Sequence, residues 1–218
     1  MNTPSILLAE RPLLRGYLHL GAFLAAIAGT VAMLFIAHDA RGYVGAAVFG
    51  ASLILVYGTS TSYHRLARSR RMVELMQRLD HAMIFVLIAG TYTPFCLIAL
   101  SNAWGIGLLS VTAGISGAGA LTRLVWLSAP RWLAVLLYLA TGWVALAAVP
   151  QIPQRLGMAP LSLLLLGGVA YSVGAVAYAA KRPNPWPRVF GYHEVFHSFT
   201  ILGSAAHFIT VAVFLLPK

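Results

Sequence analysis

Charge is scarce in this chain, and acid is scarcer still. Only 9% of its 218 residues are charged, against roughly 25% in an ordinary soluble domain. Five residues are acidic: Glu10, Asp39, Glu74, Asp80 and Glu194. Cysteine is reduced to Cys96, inside an apolar run, which excludes an internal disulfide and reads as a small buried hydrophobe. Long polar linkers are absent too, so residues 1–218 read as one bundle rather than a string of domains. What fills the space is apolar: 60% of the residues are hydrophobic, more than a soluble fold of this length could hide. A bilayer can accept it.

A spanning helix needs about 20 apolar residues at about 1.5 Å each. Seven runs meet that length: Tyr17–Ala37, Tyr43–Tyr63, Leu79–Leu100, Gly105–Leu127, Trp132–Val149, Pro160–Ala180 and Gly191–Leu216. The first is too long for a signal-peptide core and is expected to span. Breakers separate the runs, among them Pro150-Gln151-Ile152-Pro153 and Pro183-Asn184-Pro185-Trp186-Pro187. The expectation is an all-α bundle of seven transmembrane helices. Pro94 should kink the third, with Thr91 or Thr93 satisfying freed backbone groups. Gly114, Ala118 and Thr122 in the fourth run, and Gly167 and Gly174 in the sixth, stand at helix-packing intervals.

The net charge of +10 would suit nucleic acid, but its basic residues lie between apolar runs and act as topology signals, so no nucleic-acid partner is expected. With a cytoplasmic N-terminus, Arg11, Arg15, Arg65, Arg68, Arg70, Arg71, Arg78, Arg123, Arg131, Lys181, Arg182 and Arg188 fall inside. Arg41, Arg155 and Lys218 fall outside. Twelve against three puts the N-terminus in the cytoplasm and the C-terminus outside.

An ionisable group in a spanning helix is costly and is a functional suspect by default. His193-Glu194-Val195-Phe196-His197 sets two imidazoles at i and i+4 on one helix face, within reach of one metal. His64 ends the second run, Asp80 opens the third, and the histidine pair opens the seventh, so all four groups lie near the same cytoplasmic edge. The other histidines differ. His19 suits packing or the interface, His38 lies in the outer loop, and His81 points about 100° away from Asp80. His207 stands ten residues beyond His197, about 15 Å deeper, as a polar lining or packing residue. The string His193-Glu194-x-x-His197 also matches the zincin protease motif, in which the glutamate is the base. No Asp or Glu follows Glu194 to supply the usual third ligand, and the metzincin extension meets Thr200 and Gly203 where it needs Gly and His.

At these residues the chain resembles the hemolysin III family, the bacterial branch of the progestin and adiponectin receptor superfamily. The matching pieces are Ser60-Thr61-Ser62-Tyr63-His64, Leu79-Asp80-His81 running into Gly90-Thr91-Tyr92-Thr93-Pro94, and His193-Glu194-Val195-Phe196-His197 followed by Gly203 and His207-Phe208. Order, spacing and helix assignment agree over essentially the whole chain. The resemblance implies a multi-pass protein of the bacterial inner membrane, with zinc (Zn2+) held by His64, His193 and His197. It further implies that Asp80 positions the attacking water, with Ser60 beside it. Receptor members and the related alkaline ceramidases imply hydrolysis of a lipid amide, and bacterial members are linked to membrane-lipid homeostasis. The position of Glu194 is often glutamine in receptor members, so a catalytic role is not carried over to it. No counterpart of the long N-terminal domain of the animal receptors is expected, and adiponectin-like binding is not carried over either.

The leading expectation is a zinc-dependent hydrolase of a lipid amide or ester, with a membrane lipid or fatty acid as its partner and Asp80 as base. A sensor of membrane lipid state with structural zinc is the alternative, and a pore-forming haemolysin the third. A toxin should reach its target in soluble form, which this composition does not offer. Orientation is directly testable. A C-terminal reporter that works only outside the cytoplasm should be active, and activity from a cytoplasm-only reporter at Lys218 would reverse the topology.

Overall fold

The computed structural model describes residues 12–100, 102–126 and 128–217, with the side chain of residue 102 left aside. Glu10, Arg11 and Lys218, and the proposed end of the fourth run at Leu127, lie outside the described residues. Helices α1 (Tyr17–Ile36), α2 (Ala40–Arg65), α3 (Arg70–Pro94), α4 (Asn102–Val125) and α5 (Arg131–Trp143) follow one another across short turns. The short α6 (Ile152–Leu156) then precedes α7 (Met158–Ala180) and α8 (Tyr192–Ile209). A π-helical stretch, Phe95–Ala99, extends α3, a 3-10 stretch, Val144–Ala148, extends α5, and a second π-helical stretch, Thr210–Leu215, extends α8. Counted with their extensions, seven of these helices, all but α6, are long and apolar enough to cross a membrane.

The bundle is inverted relative to a soluble protein. Large apolar side chains such as Leu24, Phe35, Leu121 and Val176 point outward, with Phe35 86% exposed. Polar ones turn inward: His19, Ser60, Thr112, Arg123, Glu194, His197 and His207 are all buried. Lipid offers the outer faces a matching solvent, while inward polar groups find partners inside the protein. The chain is an integral, multi-pass, all-α membrane protein.

Helix α3 corrects the apolar-run boundary. It begins at Arg70 rather than Leu79, because Ser69 caps its first turn by accepting from the Met72 N–H at 3.2 Å. The added turns are polar, so an apolar run marks only the buried part of the helix. Asp80 therefore sits inside a helix already under way, not at its start. At the other end of α3, the backbone widens into the π-helical stretch directly after Pro94, where the ring removes a backbone donor. Thr91 and Thr93 donate to the carbonyls of Leu87 and Ala89, one turn back from each, so neither takes the Gly90 carbonyl that Pro94 deprives of its usual N–H.

The small-residue expectation divides. On α4, Gly114 and Ala118 are exposed and a Cβ on Gly114 would meet nothing, so that stripe faces outward. The packing face is the one carrying Thr112, Ser116 and Gly119, the last of which lies against the ring of Phe85. On α7 the expectation holds: Gly167 lies against the ring of His207, and Gly174 lies against Phe199, so α7 and α8 pack closely.

One end of the bundle is set by a buried ion pair. Arg15 pairs with Glu194, whose carboxylate is fully buried. Glu194 also accepts the Gly191 N–H at 2.9 Å, capping the first turn of α8. The backbone just before α1 joins the same structure, since the Leu13 and Leu14 N–H groups donate to the carbonyls of Arg188 and Val189 at 3.0 and 3.2 Å. Removing one partner of such a pair leaves a buried uncompensated charge and costs about 3–5 kcal/mol.

Candidate metal centre

Three imidazoles converge at this end of the bundle. His64 lies in the last turn of α2, and His193 and His197 in the first two turns of α8. One ligating atom from each falls within 4.8 Å of the others. The Nε2 atoms of His64 and His193 are 3.2 Å apart, and the ring of His197 lies 4.5 Å from that of His193. The Nδ1 of His197 is buried without a hydrogen-bond partner. Imidazole nitrogens brought this close, on side chains that are buried or half-buried, form a donor set that suits a divalent ion. These residues fit a metal, and the i, i+4 spacing performs as expected: one face of α8 presents His193 and His197 together.

Glu194 is turned elsewhere, committed to Arg15 and to the Gly191 N–H, so the zincin assignment of that residue as a base has no geometric support. Gly16, before α1, explains how α1 comes so close. It adopts φ +84°, and a Cβ there would lie 2.9 Å from the Cβ of His64.

Support for the triad comes from a residue expected only to pack or to sit at the interface. His19, on α1, stacks on His197 with ring centroids 3.6 Å apart and an angle of 15° between planes. Its Nδ1 is 2.8 Å from the Ser60 hydroxyl, and its ring meets that of Tyr57 edge-on at 5.0 Å. Tyr57 in turn donates to Ser204 at 2.7 Å, and Tyr171 shares the same hydroxyl at 2.7 Å. The packing role expected for His19 is what the structure gives it, but against a ligand candidate. Partners of this kind fix the plane of an imidazole.

Beside the triad lies a cavity of about 340 Å³, into which His193, His197, Ser60 and Asp80 all face. Asp80 lies beside Ser60. It belongs to neither of the ion pairs found among the described residues, Arg15–Glu194 and Arg70–Glu74. Its neighbour Arg78, the obvious pairing candidate, donates instead to the carbonyl of Leu124. A second, apolar cavity of about 150 Å³ shares the walls Val56, Ile84, Tyr138, Ala175, Phe196 and Thr200, and reaches His207 at its far side. His207 lines that cavity and lies 3.1 Å from the Leu164 carbonyl, so it stands apart from the triad, as its depth predicted.

Fold and site define a class: a heptahelical membrane protein with a histidine triad at one end of the bundle and an apolar cavity leading away from it. The chain belongs to the family described as Haemolysin-III related, whose pattern it matches over residues 8–208. It is 35% identical to the Hemolysin-3 homolog of Bacillus subtilis (strain 168), over 75% of this chain and 74% of that one. It is 33% identical to Hemolysin-3 of Bacillus cereus, over 82% and 78% of the two chains. The kinship reaches plants, with 30% identity to Heptahelical transmembrane protein ADIPOR2 of Oryza sativa subsp. japonica, over 77% and 80%.

Metal analysis tests the centre. The purified protein should carry about one ion per chain, and His64→Ala, His193→Ala or His197→Ala should each remove most of it. His38→Ala, in the turn between α1 and α2 at the opposite end of the bundle, should not. Full occupancy in a His193/His197 double variant would overturn the assignment.

Proposed function

We propose that the protein is a zinc-dependent hydrolase of a lipid amide or ester, acting in the bacterial cytoplasmic membrane with its triad at the cytoplasmic edge. The observation that carries this is a single cavity in which two of the three converging histidines, a carboxylate and an apolar extension meet. A zinc ion held by His64, His193 and His197 would supply Lewis acidity, making water acidic near neutral pH and polarising a carbonyl. The chain's own groups do the rest. The acyl chain lies in the apolar cavity, which directs its carbonyl toward His193 and His197. Asp80 accepts a proton from the attacking water and returns it to the departing nitrogen or oxygen. Ser60 sits between Asp80 and His19, and so ties the base to the imidazole that braces His197.

The apolar cavity gives little net hydrophobic gain, because a lipid tail leaving the bilayer is already in an apolar medium. Selection among lipids therefore falls to the polar groups near the triad. A lytic activity, which the names of the Bacillus relatives suggest, would need a water-compatible form of a bundle whose outer surface is apolar.

Asp80→Asn keeps the shape of the side chain but cannot take a proton. It should retain the metal and lose turnover on lipid amides or esters by about 10²–10⁴-fold, as removal of a positioned base does. His64→Ala should lose metal and turnover together. Unchanged turnover in Asp80→Asn would exclude it as the base. Absence of turnover in the metal-loaded wild type on every lipid amide and ester would favour the sensor of lipid state.

A further inference from the structure

The cavity has a second polar wall that the hydrolytic chemistry leaves unused. Arg123 projects into it from α4 and is only 4% exposed. Its NH2 group donates to the Nδ1 of His81 at 2.6 Å, while its Nε and NH1 are buried with no hydrogen-bond partner. Arg131, at the start of α5, lines the same cavity, lies over the ring of Tyr178 and also buries an NH1 without a partner. A guanidinium has no lone pair to offer, so His81 must accept at Nδ1 and keep its proton on Nε2. Two guanidinium groups and the His81 ring thus line one cavity, with Asp80 the one acidic side chain among the described residues that line it. A buried guanidinium without an acceptor is costly, and carboxylate or phosphate oxygens are its best partners.

We infer that Arg123, Arg131 and His81 form a receptor for a phosphate-type oxyanion, carried by the headgroup of the lipid that enters the adjoining apolar cavity. The lipid as source rests on the hydrolase reading; the anion site does not. Donor number favours phosphate over carboxylate. One guanidinium fork satisfies both carboxylate oxygens and leaves the other arginine unpaired, whereas a phosphate monoester offers three acceptor oxygens and up to two charges. Gln77 and Ser128 add further polar groups to the same lining. The two cavities share walls, so one molecule can hold its acyl chain in one and its headgroup in the other.

Binding to the metal-loaded protein tests this, using dioctanoyl phosphatidic acid, dioctanoylglycerol, octanoate and inorganic phosphate as probes. Phosphatidic acid should bind roughly tenfold or more tighter than dioctanoylglycerol, and Arg123→Gln or Arg131→Gln should each remove most of that difference. Arg65→Gln, an exposed residue at the same end stacked on Tyr17, should leave it unchanged. Competition by inorganic phosphate alone, as strong as by the lipid, would keep the oxyanion site and make a free anion its ligand. Octanoate or dioctanoylglycerol binding as tightly as phosphatidic acid would overturn the proposal, as would full affinity in both arginine variants. Should Arg123→Gln lose its metal through misfolding, Arg123→Lys and Arg131→Gln decide, since lysine keeps the charge but not the fork. Turnover of an uncharged lipid amide separates the two claims: turnover with no phosphate preference removes only the anion site, and arginine-dependent phosphate binding without turnover removes only the hydrolase.

Discussion

Everything at the functional end depends on where α8 begins, and the buried pair of Arg15 with Glu194 sets that point. Glu194 lies between His193 and His197 in sequence, yet its carboxylate is taken up by other partners. It closes the first turn on the Gly191 N–H and meets a guanidinium from the segment before α1. A carboxylate with no exposure at all is tolerable in a membrane protein only when paired in this way. The pairing orients the adjoining face of α8, with His193 and His197, toward His64 on α2. The left-handed backbone of Gly16 then lets α1 approach closely enough for His19 to stack on His197.

Much of this was legible in the amino-acid sequence, because lipid imposes simple rules. Run length gave seven spans, and the structure has seven helices able to cross. Helical periodicity put His193 and His197 on one face, and loop counting brought His64 to the same end. Legibility failed where polar residues belong to a helix but not to its apolar run. The early turns of α3 from Arg70 onward look like loop by composition, yet a serine cap and helical backbone continue the span outward. Spacing alone also misjudged α4, where Gly114, Ala118 and Thr122 keep a packing interval but the helix turns Thr112, Ser116 and Gly119 inward.

Arg123 is the most instructive omission. A charge inside an apolar run singled out Asp80, and the same rule applied to Arg123 within Gly105–Leu127. Counting it among the topology signals hid it, since those signals usually lie at the membrane surface in contact with water. Its burial beside His81 shows that a basic residue counted as a topology signal need not face solvent. His19 was foreseeable only as a packing residue: stacking on a ligand candidate has no sequence spacing, because its partner lies at the other end of the chain. Tertiary approach alone creates such contacts.

We propose that the triad is an open metal centre built for chemistry rather than a closed structural one. X-ray absorption at the zinc edge of the purified protein reads the shell directly. Three imidazole nitrogens and one oxygen, each about 2.0 Å from the ion, are the expected result. A shell closed by a fourth protein nitrogen or by sulfur, or an oxygen-only shell without imidazole, would contradict the account.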